Sequence, residues 1–353
     1  MHLVRALIAA SGPFERVEVP FADDEGRPRA LTVIHGTGGV GKSTLVQAIA
    51  TTRPGHTVAQ MPRGDGAGVP APGPSHVACE WLLGSDEPAR PHALRVASPN
   101  VRLLAQDEDE ALRRREQAHF DKLAQDGGFA FLAVPSVRWF SRQPIVLSAP
   151  ARTVARYDVR SPLSLDDAAR ADLARETKQA LGYSAIACAL AGAAEREGRR
   201  FDLLGEAMRA AVDRLADLSG LRYLGIDPLS FEPWFVEHGG RRLSFDSLPT
   251  RARHLVAFAA LSTRVLWAAY PDQDPRESEG VVAIDDVELY QDPPVLSRLA
   301  AALREALPAV QWILTTASPV LAASSAVSDV VALRRLRESD SVAVFAGEQA
   351  LTH

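Results

Sequence analysis

The sequence is poor in cysteine and lysine. Of its 353 residues only two are cysteines, Cys79 and Cys188, which lie far apart and show no metal-type spacing. Two distant cysteines do not make a disulfide framework and are typical of a reduced, cytosolic protein. Only three lysines are present among the 39 basic residues. A lysine within a motif is therefore informative in this chain.

An excess of positive charge and long apolar runs are also absent. The formal net charge is -5, so no overall basic field attracts nucleic acid or anionic lipid. The longest apolar run, Ala185–Ala194, is too short to span a bilayer. The apolar start of the chain is cut by Gly12-Pro13, which argues against a signal peptide. We expect no membrane partner, and charge does not indicate DNA.

The order of strand-like and helical segments predicts the fold class. Hydrophobic residues make up 46% of the chain, enough for a large core. Three strands are predicted at the start, and a hairpin of Val77–Leu83 and His92–Ala97 follows. In the last third, strands and helices alternate, which predicts an α/β fold with a largely parallel core sheet. The other predicted strands are Leu3–Ala9, Phe14–Pro20, Leu31–His35, Val281–Ile284, Val310–Thr315, Val330–Leu333 and Val342–Phe345.

The middle of the chain is predicted to be helical. The helical pattern runs from about Ser164 to Ser219 and is broken at Gly198, and its second half carries an apolar stripe. The stripe consists of Phe201, Leu204, Met208, Val212, Leu215 and Leu218. It is shorter than the roughly three to four heptads that indicate a coiled coil, so we expect it to pack into the core.

A glycine-rich segment between a strand and a helix predicts a phosphate site. It fits G-x-x-x-x-G-K-[ST] at every fixed position and predicts a P-loop for ATP and Mg²⁺. Glycines let the backbone direct N–H groups at phosphate oxygens, and the following helix adds its positive end. We expect Lys42 to reach the β- and γ-phosphates and the Ser43 hydroxyl to bind Mg²⁺. The nucleotide-binding segment is Gly36, Thr37, Gly38, Gly39, Val40, Gly41, Lys42, Ser43 and Thr44.

A pair of carboxylates follows a second buried strand. Val281–Ile284 is apolar and is followed directly by Asp285 and Asp286. Asp285 is predicted to hold Mg²⁺ and Asp286 to polarise the attacking water. A strand that ends in a polar turn is common, so this assignment depends on the P-loop beside it.

The two motifs together resemble the SMC/RecF/OLD branch of the ABC ATPases. Asp285 lies 243 residues beyond Lys42 (285 − 42), and in that family an inserted arm separates the two motifs. Residues 284–293, I-D-D-V-E-L-Y-Q-D-P, resemble the family pattern I-D-E-x-E-x-H-L-H-P. Residues 311–319, Q-W-I-L-T-T-A-S-P, resemble its switch segment Q-x-I-x-T-T-H-S-P.

Three positions depart from the family pattern. Asp286 stands where the family has a catalytic Glu, and Ala317 where the switch His would contact the γ-phosphate. The signature helix L-S-x-G-E/Q is similar to residues 248–253, where Arg251 replaces the Gly. Arg251 has two interpretations: an arginine finger that reaches the nucleotide of a second protomer, or a solvated residue at a helix start. Gln60, Gln106 and Gln143 are weak candidates for the Q-loop residue.

The resemblance implies a P-loop NTPase with an ABC-type head. It implies an N-terminal lobe with an antiparallel β subdomain at 1–160, a helical insertion at 161–240 and a C-terminal lobe at 241–353. It further implies a homodimer around ATP that switches a protein effector or DNA, in bacterial genome maintenance or anti-phage defence. The alternative is a nucleotide-sensing interaction module that does not hydrolyse ATP. A small-molecule kinase would need an acceptor pocket and lid that the sequence does not identify.

Overall fold

A computed structural model of the chain describes residues 1–52, 76–82, 94–97, 118–119, 122, 128–142, 172–191, 198–337 and 341–352. The Pro- and Gly-rich segment Met61–Ser75, for which the sequence predicts an irregular loop, lies outside these residues. So does most of the charged segment Glu108–Gln125, for which it predicts a helix. The domain division at 160 and 240 stays a prediction, because residues 143–171 are also outside the described part.

A six-stranded sheet forms the centre of the fold. Its order is β13-β12-β3-β11-β10-β6, and all neighbours are parallel except β12 and β13. The predicted, largely parallel sheet is therefore confirmed. β11 lies between β3 and β10, so the P-loop strand and the carboxylate strand end at the same edge. The strands are β3 Leu31–His35, β6 Phe131–Val134, β10 Gly280–Ile284, β11 Val310–Thr316, β12 Val330–Arg335 and β13 Val342–Ala346.

An antiparallel sheet of order β2-β1-β4-β5 covers one face of the central sheet. Its strands are β1 His2–Ser11, β2 Phe14–Pro20, β4 His76–Leu82 and β5 Leu94–Ala97. β4 and β5 pair antiparallel, which confirms the predicted hairpin. Helix α1, Lys42–Thr51, packs into the same core through Leu45 and Ile49, against Ile34, Ala283 and Ile313 of the central sheet. The buried Gln311 side chain joins the two sheets, since it accepts from Leu3 N (2.7 Å) and donates to Leu3 O (2.9 Å).

Helices cover the opposite face. They are α2 Leu173–Ala191, α3 Gly198–Ala216, α4 Thr250–Ala269 and α5 Pro293–Ala306, and the short α6 Pro319–Ser324 and α7 Glu348–Thr352 follow. Five residues of the apolar stripe, Leu204 to Leu218, are buried in one core with α4 and with Leu31 and Val33 of β3, and Phe201 is partly buried against it. This confirms core packing of the stripe. No helix in the described part of the chain is long and apolar enough to cross a membrane.

A three-stranded antiparallel sheet between α3 and α4 was not predicted. It consists of β7 Leu221–Ile226, β8 Pro233–Glu237 and β9 Arg242–Ser244, in that order. The free edge of β7 packs on α3, where Tyr223 N donates to Asp213 Oδ1 (2.6 Å) and Arg209 Nη1 donates to Tyr223 O (3.1 Å). The sequence places Phe231, Trp234 and Phe235 close together here, which predicts that they pack in the core; Phe235 is fully buried, but Phe231 is 49% exposed.

Candidate nucleotide site

The P-loop lies between β3 and α1, at the carboxyl edge of the central sheet. Gly36 N donates to Thr316 O (3.1 Å), and a Cβ on Gly36 would lie 2.7 Å from Leu333 O. Gly41 has a φ of 97°, and a Cβ there would lie 2.6 Å from Pro13 Cγ. At these two positions the loop needs glycine, for close packing on β12 at one end and for a left-handed turn into α1 at the other.

Lys42 and the start of α1 supply the positive charge of the loop. The Lys42 side chain is 7% exposed, and its Nζ donates to Gly36 O (3.0 Å) and Thr37 O (3.2 Å). Thr37, Gly38, Gly39 and Ser43 are exposed, whereas Val40 is buried. The first turn of α1 contains no acidic residue, so its N–H groups and the helix dipole remain available to an anion.

The two carboxylates lie beyond the end of β10 and have different environments. Asp285 is fully buried, and its Oδ1 accepts from Thr315 Oγ1 (2.5 Å). Its Oδ2 is buried and has no hydrogen-bond partner in the described part of the chain. The Asp286 side chain is 29% exposed, and its Oδ1 lies 3.8 Å from Lys42 Nζ. The fold therefore brings the two predicted motifs together across 243 residues of sequence.

Two residues that sequence reasoning missed hold these carboxylates. Thr315 Oγ1 accepts from Asp286 N (2.8 Å) while it donates to Asp285. Arg138 donates from Nη1 to Asp285 O (2.6 Å) and from Nη2 to Asp286 O (2.8 Å). Thr315 lies in the switch segment, so the resemblance offered a signal for it. Arg138 follows β6 and belongs to no motif, and nothing in the sequence distinguishes it from the other arginines.

The electrostatics of the site favour a bound cation. Burial raises the pKa of Asp286 above its ordinary value, and the neighbouring Asp285 raises it further, against the opposing effect of Lys42. Burial lowers the pKa of Arg138 to about 10, so it stays charged at neutral pH. Mg²⁺ prefers oxygen ligands, and the partnerless Asp285 Oδ2 and the exposed Ser43 hydroxyl are of that kind. The residues present fit the predicted Mg²⁺ site.

Ala317 stands where the family pattern has a switch His, and it offers only a methyl group there. Ala317 is exposed, and its backbone N donates to Glu288 Oε1 (2.6 Å).

His35, at the end of β3, pairs in the sheet with Thr316. Burial lowers the pKa of His35, as do Arg334 and Lys42, while its hydrogen bond to the Ala317 backbone and Glu288 oppose the shift. At neutral pH this imidazole is uncharged. The Q-loop candidates Gln60, Gln106 and Gln143 lie outside the described residues.

Arg251 lies at the start of α4 and contacts the segment that follows the carboxylates. Its Nη1 donates to Asp292 Oδ2, and its backbone O accepts from Gln291 Nε2 (3.3 Å). One turn later, the buried His254 stacks on Tyr290 with ring centroids 5.0 Å apart. Among the described residues, no hydrogen bond joins Arg251 to the P-loop. The Arg251 side chain is 43% exposed.

Solved structures similar to this chain are heads of SMC proteins. An Smc head bound to the C-winged helix domain of ScpA is 14% identical, with a TM-score of 0.57, over 100% of both chains. A head from Pyrococcus furiosus with an extended coiled coil, bound to the C-terminal domain of ScpA, is 14% identical with a TM-score of 0.55, covering 99% of this chain and 98% of that one. The head from Thermotoga maritima is 15% identical with a TM-score of 0.51, covering 99% and 100%.

Sequence comparisons give no closer relative. No protein-family model matches the sequence, and no curated protein matches it significantly. Identities of 14–15% show the fold alone, and this fold is that of SMC heads. The predicted fold and the predicted family resemblance are confirmed at that level.

Proposed function

We propose that this chain binds Mg-ATP through its P-loop, forms a homodimer around the nucleotide and hydrolyses it slowly. One observation carries the proposal: Lys42 Nζ, in the P-loop, lies 3.8 Å from Asp286 Oδ1, at the sheet edge where both motif strands end. A cation that can bind phosphate and a carboxylate that can orient water thus lie next to each other. A chance glycine turn would not account for the second motif.

The roles of the side chains follow from their positions. The N–H groups of Gly36–Ser43 and the ammonium of Lys42 grip the β- and γ-phosphates. Ser43 and the Asp285 oxygen that has no hydrogen-bond partner among the described residues would hold Mg²⁺, which would supply positive charge at the phosphate oxygens. Asp286, beside Lys42, orients water toward the γ-phosphate and accepts its proton.

Turnover is expected to be slow, on the order of 1 per second or less, the low end of the usual range. Ala317 has no side chain to contact the γ-phosphate, so one source of transition-state stabilisation is missing. The raised pKa of Asp286 makes it a somewhat better base, but its short side chain has less reach than a glutamate. ATP then acts as a timed switch whose binding closes the dimer and whose loss opens it.

The proposed partner of this switch is a protein effector, and DNA is the less favoured alternative. Two similar SMC heads are bound to a domain of ScpA, which supports a protein partner for this head. The net charge of -5 gives no general attraction to DNA. A cytoplasmic role in bacterial genome maintenance or anti-phage defence fits a head of this class, and we propose it on analogy of fold.

A non-hydrolysing nucleotide sensor is the second candidate. Ala317 favours it, as does Arg251, which stands at the start of α4 where the family pattern has Gly. Both changes weaken turnover more than binding. Steady-state phosphate release, with and without DNA, separates the two candidates. A sensor binds ATP and releases no phosphate above the rate of the Lys42→Ala variant.

The central test removes the ammonium of the P-loop. Lys42→Ala is expected to weaken binding of a fluorescent ATP analogue by at least about 100-fold, since charged hydrogen bonds to phosphate are worth about 1.5–3 kcal/mol each. Arg298→Ala, which removes an exposed cation on α5, is the control and should bind normally. Circular dichroism should show both variants folded. Unchanged affinity in a folded Lys42→Ala protein would end the proposal.

A further inference from the structure

Asp286 has an unusual backbone conformation. Its φ is 42°, in the left-handed region that residues other than glycine rarely adopt, although Asp and Asn tolerate it better than most. The conformation turns the chain directly after Asp285 and leaves the Asp286 carboxylate 3.8 Å from Lys42 Nζ. A strained residue at a functional site persists only where its surroundings hold it.

Both backbone groups of Asp286 are held by side chains from other elements. Its N donates to Thr315 Oγ1 (2.8 Å) at the end of β11. Its O accepts from Arg138 Nη2 (2.8 Å) and also from Leu289 N (3.1 Å) in the turn that follows. The other terminal nitrogen of Arg138 donates to Asp285 O (2.6 Å) and Pro135 O (2.9 Å). One guanidinium therefore donates hydrogen bonds to three backbone carbonyls at the carboxyl ends of β6 and β10.

Arg138 is itself fixed by its surroundings. It is only 4% exposed, and its guanidinium carbon lies 5.4 Å from the centre of the Phe258 ring on α4. Its partners are backbone carbonyls and an aromatic ring, and none of its hydrogen bonds among the described residues goes to a carboxylate. Burial disfavours the charged form of Arg138, and the neighbouring Asp285 and Asp286 oppose this effect, so hydrogen bonds and nearby carboxylates keep the cation in place.

We propose that Arg138 is a positioning residue that holds Asp286 in its left-handed conformation and so aims the Asp286 carboxylate at the phosphate end of the site. The expected loss of hydrolysis rests on the proposed ATPase function. The expected effect of Arg138 on the backbone conformation of Asp286 does not. The planar fork of arginine reaches two neighbouring carbonyls at once, and lysine cannot do so from a single nitrogen in the same plane.

Arg138→Lys is the test, because it keeps the positive charge and loses the fork. Nucleotide affinity should stay within about twofold, since no hydrogen bond joins Arg138 to the P-loop in the part of the chain that the structure describes. Hydrolysis should fall by about 100-fold, the size of effect that a misplaced catalytic group produces. Arg209→Lys is the matched control: Arg209 also donates to a backbone carbonyl, that of Tyr223, but lies on α3 in contact with β7. Its rate should be that of the wild type.

A double variant distinguishes positioning from general destabilisation. If Arg138 acts through Asp286, then Arg138→Lys combined with Asp286→Asn should be no slower than Asp286→Asn alone. A double variant slowed by the product of both single effects would show that Arg138 acts elsewhere. If Arg138→Lys does not fold, Arg138→Met replaces it, because methionine fills a similar space and cannot donate to either carbonyl; the same loss of turnover and the same release of Asp286 are then expected.

A crystal structure of Arg138→Lys tests the proposal without any hydrolysis. We expect Asp286 to leave the left-handed region and its carboxylate to move away from Lys42. Asp286 retained at a φ near its present value would overturn the proposal, whether or not the wild type hydrolyses ATP. A wild-type protein that binds no nucleotide would instead end the proposed function and leave the structural result for Arg138 to be judged separately.

Discussion

The phosphate side and the carboxylate side of the candidate site are built differently. On the phosphate side, Gly36–Ser43 is one continuous segment, and Lys42 is held by carbonyls of its own loop. On the carboxylate side, Asp286 depends on Thr315 and Arg138, which lie 29 and 148 residues away in sequence. The first side is a local structure between a strand and a helix, and the second forms only when three strands are assembled.

Because of this difference, substitutions on the two sides are expected to affect different steps. Under the proposed function, changes in the P-loop remove groups that contact phosphate in the ground state, so they are expected to act on nucleotide binding. Changes around Asp286 leave those groups in place and alter where a carboxylate points, so they act on turnover. Loss of Lys42 and loss of Arg138 represent these two outcomes, and three further substitutions make the comparison sharper.

Asp286→Asn is expected to have the largest effect on turnover. Hydrolysis should fall by about 100- to 1,000-fold, because a general base contributes about that much, while Mg-ATP binding stays within about twofold. Asparagine also tolerates a left-handed backbone, so the change isolates the carboxylate charge. Phosphate release and titration with a fluorescent ATP analogue measure the two quantities. An equal loss of binding and turnover would mean that the two sides are not separable.

The same variant should be more stable than the wild type at neutral pH without nucleotide. Burial and Asp285 raise the pKa of Asp286 above 3.8. The ionised form is therefore disfavoured in the folded state, and the stability that the protonated form contributes is lost as pH rises through the raised pKa. Asparagine resembles the protonated form, so Tm at pH 7 should be higher in the variant than in the wild type. The difference should vanish below about pH 4.

The sequence predicts the phosphate side to the residue because its rules are local. Glycine, lysine and serine at fixed spacing after a buried strand specify the loop without reference to the rest of the chain. Asp285 and Asp286 were also found, because they follow an apolar strand. Arg138 was not found, since its role depends on β6 lying next to β10, a pairing over about 150 residues that no local pattern encodes.

The sheet of β7, β8 and β9 was missed for a related reason. Its strands have three to six residues, and the pairing of β7 with β8 shifts register between Tyr223 and Gly225. Short, irregular strands give a weak alternation signal. The edge of β7 that pairs with no strand of its sheet is held by Asp213 and Arg209 of the preceding helix. The sheet is therefore specified by packing on α3 as much as by its own sequence.

Thr315→Val tests whether one hydroxyl holds the carboxylate side together. Valine keeps the shape but removes the donor to Asp285 and the acceptor for Asp286 N. Turnover should fall by about tenfold, and the free energy of unfolding by about 1–3 kcal/mol, the cost of unpaired buried groups. The Mg²⁺ concentration for half-maximal rate should rise, because Asp285 loses its orientation. Thr315→Ser, which keeps the hydroxyl, is the control and should lie near the wild type in all three measurements.

Arg251 is expected to give the smallest effect, and it tests whether a second protomer completes the phosphate side. Within one chain Arg251 pairs with Asp292, and both side chains are substantially exposed, so this ion pair is worth at most about 1 kcal/mol. If Arg251 also reaches the nucleotide of a partner, Arg251→Ala should lower the affinity of the ATP-induced dimer by about two- to fivefold and leave ATP binding by the monomer unchanged.

Asp292→Ala provides the matched comparison, because it breaks the same ion pair but leaves the cation free to bind phosphate. Dimer fractions are measured by light scattering with and without ATP. Loss of the dimer in Arg251→Ala and its retention in Asp292→Ala would assign the arginine to the partner's nucleotide. Equal, small changes in both variants would leave only the ion pair within one chain, and the phosphate side would then be complete within a single protomer.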